Sequence, residues 1–259
     1  MSIKIRDTIL GEKVLICVPV IGSKDDDILE CIKAIKEKPV DIIEWRADYY
    51  NERFNKDKVN DTLRNIRKEC GDIPIIFTYR TAHEGGESEC AGNNFISDDY
   101  YFELLKGVAC GGYADIIDVE ARAFAESAVR MLIQYIKENN VVSLASNHHF
   151  DKTPSNDEMR NIFKYMHECG ADILKLAVMP HSNIDVLRLM EATAEAAAEY
   201  KEPIITMSMG KSGLITRICG GLTGSAMTFA SVSGESAPGQ IPADTVASLL
   251  DLFEDTKEN

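Results

Sequence analysis

Short apolar runs alternate with longer amphipathic stretches from one end of the chain to the other. The runs are LICVPVI at 15–21, DIIEWRA at 41–47, PIIFTYR at 74–80, ADIIDVE at 114–120, VVSLASN at 141–147, ADILKLAV at 171–178, PIITMSM at 203–209 and AMTFASV at 226–232. Each is short, apolar and β-favouring, which predicts a strand. The stretches between them place apolar residues at three- and four-residue steps, the period of a helix with one buried face. Examples are 25–37 (DDDILECIKAIKE), 124–138 (FAESAVRMLIQYIKE) and 184–199 (IDVLRLMEATAEAAAE). The strands recur about every thirty residues, the length of a βα unit.

About eight such units, with no linker, low-complexity segment or break in composition, predict one domain over residues 1–259 built as a (β/α)8 TIM barrel. An open doubly wound sheet is the competitor. It would carry a glycine-rich nucleotide turn after its first strand. Here VPVIGSKDDD follows, with a single glycine and no G-x-G-x-x-G. The opening stretch 3–14 has an alternation of its own and predicts a small hairpin closing the barrel floor.

Charge and cysteine content narrow the function. A net charge of -14 argues against nucleic acid or an anionic membrane as the main partner, and leaves anion binding to local clusters of cations. Seven scattered cysteines, odd in number and without C-x-x-C spacing, fit a reduced cytoplasmic protein and not a disulfide framework or a zinc site. MSIKIRDTIL lacks the apolar core of a signal peptide, and no apolar run approaches the length that spans a bilayer.

In a barrel of this kind chemistry sits at the C-terminal ends of the strands. Along ADILKLAV, Ile173, Lys175 and Ala177 share one face and Leu174, Leu176 and Val178 the other. The bulkier face suits the outer helices, so Lys175 points into the barrel, where nothing near it in sequence neutralises it. Its bland alternatives are to snorkel to solvent or to pair with a carboxylate of a neighbouring strand. Buried instead, the amine is pushed toward its neutral form. A fall of roughly two to three units from ~10.4 makes several to some tens of per cent neutral at pH 7. A neutral amine forms Schiff bases with carbonyls.

Other strand ends add polar groups. EWRAD at 44–48 puts Glu44, Arg46 and Asp48 on one face, as an ion-pair layer or as partners for a hydroxylated substrate, and Arg80 at the corresponding place on the third strand favours the second. Glu84, just before Gly85 and Gly86, is either an exposed loop carboxylate or a group that orients a base; His83 is expected to face solvent. On the fifth strand His148 shares a face with small Ser146 and is a candidate proton shuttle, against the alternative of a hydrogen-bonded structural histidine. His148 and His149 diverge and do not chelate one metal. After the seventh strand, Gly210 and Gly213 shape a loop, and Arg217, expected in the first turns of the next helix, suits an anion. The GKSG fragment lacks the upstream glycine of a P-loop. The last loop, 233–242, is expected to act as a mobile flap bearing Ser236 and Gln240.

Taken together, EWRAD at 44–48, FTYR then EGGE within 77–87, DVE at 118–120, SNHHFDKTP at 146–154, KLAVMP at 175–180, TMSMGKSGLITR at 206–217 and SAPGQIP at 236–242 resemble the type I 3-dehydroquinate dehydratases, Schiff-base enzymes of the shikimate pathway. The chain departs from the family where His149 follows the candidate base and Ala121 follows DVE. The resemblance implies that Lys175 attacks the C3 ketone of 3-dehydroquinate and forms an iminium, that His148 removes the C2 proton and returns it to the departing C1 hydroxyl in a syn elimination, and that Glu84 orients His148. It implies that Arg217 pairs with the substrate carboxylate, that Glu44, Arg46 and Arg80 bind ring hydroxyls, that Ser236 and Gln240 close over the substrate, and that Met207 and Met209 line the pocket. No metal or organic cofactor is implied, and the family's usual state is a homodimer. Two rivals remain: a class I aldolase on a similar barrel, and a non-catalytic barrel that binds a small acid or a partner protein.

Overall fold

The computed structural model describes residues 2–87, 96–122, 124–232 and 239–254. Its frame is eight parallel strands: β3 (Leu15–Val20), β4 (Ile42–Arg46), β5 (Ile75–Thr78), β6 (Ile116–Glu120), β7 (Val142–His149), β8 (Ile173–Val178), β9 (Ile204–Ser208) and β10 (Met227–Ser231). They stand side by side in chain order, and β10 returns to pair with β3. The circle closes where the Ala226 N–H donates to the Ile204 carbonyl at 2.7 Å, beside a parallel bridge between Ile204 and Ser225. This is the (β/α)8 barrel that the repeat predicted. A two-residue strand, β11 (Ile241–Pro242), extends the sheet beside β10.

Helices cover the outside: α1 (Asp25–Ile35), α2 (Lys56–Cys70), α3 (Asp98–Gly111), α4 (Glu126–Glu138), α5 (Asn156–Glu168), α6 (Asn183–Glu199) and α8 (Ala243–Glu254). Their starts are chemically marked. Ser155 and Ser182 form reciprocal capping boxes with Glu158 and Asp185, each such cap worth about 1 kcal/mol. α4 begins two residues later than its periodicity suggests, because Phe124 stacks on Tyr101 with ring centroids 4.7 Å apart instead of joining the helix. The seventh unit is the exception to the repeat. A 3-10 stretch, Lys211–Arg217, and a single turn, α7 (Gly220–Thr223), stand where a full helix was expected. Arg217 therefore ends a 3-10 helix and does not lie in the first turns of an α-helix.

Strand alternation sorts the side chains. Leu174, Leu176 and Val178 join the core between sheet and helices, with Met159, Phe163 and Leu189. Ile173 and Ala177 belong to a second cluster inside the barrel, with Leu15, Cys17, Ile42, Ile76, Ile116, Leu144 and Ile205. The floor of that interior is closed by the hairpin of β1 (Ile3–Ile5) and β2 (Thr8–Leu10), whose Ile5 and Leu10 are buried in the same cluster. Arg6, at the hairpin turn, anchors it to Asp115 at 2.7 Å. Among the described residues, no helix is long and apolar enough to cross a membrane.

Candidate active site

The upper interior of the barrel is polar. Lys175 is 4% exposed, and its Nζ lies 3.4 Å from Glu44 Oε1, 3.5 Å from Asp118 Oδ2 and 4.4 Å from the centre of the Phe229 ring. The sequence placed no neutralising group near this amine, and the structure supplies two. Neither comes from a neighbouring strand: the residues in register with Lys175 on β7 and β9 are Ser146 and Ile205. The carboxylates reach it from β4 and β6, across the barrel. Desolvation alone is thus not the environment of this lysine.

His148, at the end of β7, is buried, and its Nδ1 lies 2.7 Å from Glu84 Oε2. Glu84 ends a 3-10 stretch, Ala82–Glu84, that carries it back over the barrel; His83 in the same stretch is exposed, as expected. The glycines that follow are required there. Gly85 has φ +80°, with the Phe150 ring where a Cβ would stand, and a Cβ on Gly86 would lie 2.0 Å from the Arg80 carbonyl oxygen. Burial, then the cations Arg80, Lys175 and Arg46, push the His148 pKa well below its usual value, so the imidazole is held neutral. Burial and the nearby Glu120 raise Glu84 well above the usual carboxylate range, against the pull of Arg80. His149, which follows, is buried outside the cavity, and neither ring nitrogen has a hydrogen-bond partner among the described residues.

The arginines are held by carboxylates. Arg46 makes a two-point contact with Asp48, at 2.9 and 2.8 Å. Arg80 donates to Asp118 at 2.7 Å, to Glu120 at 3.0 Å and to Ser146 at 3.0 Å. Burial works against both guanidinium charges, but Asp48 in one case, and Asp118 and Glu120 in the other, outweigh it and raise both pKa values. The ion-pair layer weighed against a substrate role is therefore present. The two readings coexist, since Glu44, Arg46 and Arg80 also line the cavity. Ser146, on the same face as His148, bridges Asp118 and Arg80 and is not among the residues that line the cavity.

One cavity gathers nearly every residue that the sequence singled out: Glu44, Arg46, Arg80, Glu84, His148, Lys175, Met207, Met209, Arg217 and Gln240 all line it. Arg217 is 1% exposed and donates to the Phe229 carbonyl at 3.2 Å. Ser236 lies outside the described residues. A larger cavity, of about 630 Å³, opens on the outer wall between α6, α7 and α8, where the seventh unit lacks a full helix, and it holds none of these candidates. The sequence reading gave no role to Phe229, which underlies Lys175, or to Asp118 and Glu120. The two acids were detectable: in IIDVE they fall on the inward face of β6 with the same two-residue step as Glu44 and Arg46 on β4.

An amine, an imidazole with its carboxylate partner and a set of arginines, meeting at the C-terminal mouth of a (β/α)8 barrel, define a site fit for covalent work on a small polar anion. Residues 16–257 match the family model described as Type I 3-dehydroquinase. The chain is 44% identical over 253 residues to a 3-dehydroquinate dehydratase of Clostridium kluyveri, covering 97% of each. It superposes with a TM-score of 0.92 on a 3-dehydroquinate dehydratase from Geobacillus kaustophilus, at 36% identity, covering 98% of this chain and 97% of that one. A type I enzyme from Clostridium difficile, solved with covalent modified comenic acid, also gives 0.92, at 39% identity, covering 99% and 98%. The chain belongs to the type I 3-dehydroquinase family.

Proposed function

We propose that the protein dehydrates 3-dehydroquinate to 3-dehydroshikimate through a Schiff base on Lys175. The observation that carries this reading is the convergence of Lys175, His148 and Arg217 on one buried cavity. The covalently modified acid in the Clostridium difficile relative supports a reading in which covalent chemistry is central.

Lys175 condenses with the C3 ketone, and the iminium acts as an electron sink that acidifies the C2 hydrogen. His148, neutral and with Nδ1–H donated to Glu84, presents Nε2 as the base. The enamine collapses, the C1 hydroxyl leaves with the proton that His148 returns, and hydrolysis frees Lys175. Use of one imidazole as base and acid on one face makes the elimination syn. Arg217 holds the carboxylate; Glu44, Arg46 and Arg80 face the ring hydroxyls; Met207 and Met209 form the apolar wall; and Gln240, with Ser236 from the last loop, covers the substrate. The same reading carries a homodimer in the cytoplasm, as is usual for the family.

The deciding experiment mixes the protein with 3-dehydroquinate and borohydride, then maps the adduct by peptide mass. A reduced adduct on Lys175 together with 3-dehydroshikimate as product is expected. Cleavage of a carbon–carbon bond instead would point to an aldolase, and no adduct with substrate unchanged to a binding protein.

A further inference from the structure

Asp118 takes no part in the steps above, yet it is one of two carboxylates beside the Lys175 nitrogen. The two are placed differently. Glu44 lines the cavity and Asp118 does not. Asp118 is 1% exposed; its Oδ1 accepts from the Ser146 hydroxyl at 2.6 Å and its Oδ2 from Arg80 at 2.7 Å. With a donor on each oxygen, the carboxylate is fixed in orientation. Burial opposes its charge, but Arg80, Lys175 and Ser146 outweigh burial and leave its pKa lowered.

We propose that Asp118 is a positioning residue: a fixed counter-charge, out of reach of substrate, that holds the Lys175 nitrogen at the cavity wall and balances the positive charge it carries as ammonium and as iminium. This rests on the Schiff-base reading. The balance of that step explains why a permanent anion suits the place. An ammonium and a ketone give an iminium and one water, so the nitrogen bears one positive charge before and after, and a proton leaves it only in between. Asp118 stabilises both ends equally. Glu44, which faces the cavity, is left to meet the substrate. Around Lys175 stand also Cys17 of β3, His148 of β7, the Phe229 ring of β10 and the Arg80 guanidinium, which shares Asp118 Oδ2 with it; among the described residues, none of these is an anion that could replace Asp118.

The test follows acylation of Lys175 by acetic anhydride across pH, read by peptide mass, in the wild type and in Asp118→Asn. Removal of a buried anion 3.5 Å away is expected to lower the titration midpoint of Lys175 by about one unit or more. A merely structural role leaves that midpoint in place, and a shift below about 0.3 unit overturns the inference. Ser146→Ala keeps every charge and serves if Asp118→Asn does not fold. It frees Oδ1, leaves the carboxylate more dependent on its cations, and is expected to raise the midpoint; an unmoved or lowered midpoint counts against the proposal. An adduct on wild-type Lys175 with no shift in the variants overturns this inference alone, whereas no adduct in the wild type removes the reading beneath it.

Discussion

The lower and upper halves of the barrel interior are built from the same strands and the same alternation, and they differ in almost everything else. Below, Leu15, Cys17, Ile42, Ile76, Ile116, Leu144, Ile173 and Ile205 form an apolar plug. One pleat higher, Glu44, Thr78, Asp118, Ser146 and Lys175 occupy the same inward face and are linked by hydrogen bonds and ion pairs. Apolar side chains can pack against any apolar neighbour, whereas buried charges are tolerable only when each finds its partner. The lower half can thus be a generic core. The upper half must be specific, and meeting this cost around both Arg80 and Lys175 fits the chemistry proposed for the site better than a role in stability.

That contrast can be broken by substitution. His148→Ala should reduce turnover per folded molecule by about two to four orders of magnitude while sparing imine formation to some degree. Its wild-type counterpart is a pH profile. Because the His148 pKa is lowered, the base form persists as pH falls through the ordinary histidine range, so the acid limb of kcat/KM should lie below 6.5. An acid limb at or above 6.5 would contradict the buried, cation-flanked imidazole. In the lower half the pattern reverses: Leu144→Ala should cost about 2–5 kcal/mol of stability by denaturant titration, with turnover per folded molecule little changed. A turnover loss larger than the stability loss explains would mean that the two halves are not separable. The smallest effect belongs to the floor's rim, where Arg6→Ala should cost no more than about 1 kcal/mol, its contact with Asp115 being partly solvent-screened.

Much of this was legible in the sequence, for reasons the strands make plain. Alternation in ADILKLAV assigned Lys175 to the interior because a strand's period of two is local and robust. The hairpin over 3–14 and the eight strands follow from the same local rule. What lies across the barrel is not local. Lys175 meets Glu44 and Asp118 because of how the sheet closes on itself, and no spacing along the chain encodes that register. Arg217 illustrates a second limit: a loop rich in glycine ahead of an apolar run reads as a helix start, but Gly213 packs against the Ser208 carbonyl and the segment tightens into 3-10 geometry. Phe229 gave no signal, since an aromatic on a strand is ordinary core material until an ammonium is found above it.

The hairpin under the barrel has a consequence for traffic. With Ile5 and Leu10 sealed into the interior, the barrel floor gives no passage to the site. Under the Schiff-base mechanism proposed above, substrate, the water released on condensation, the water needed for hydrolysis and the product would all pass by way of the strand-end mouth. Successive molecules cannot queue from opposite sides, so occupancy of the site is strictly first out, then in, and accumulated product should compete with fresh substrate for one doorway.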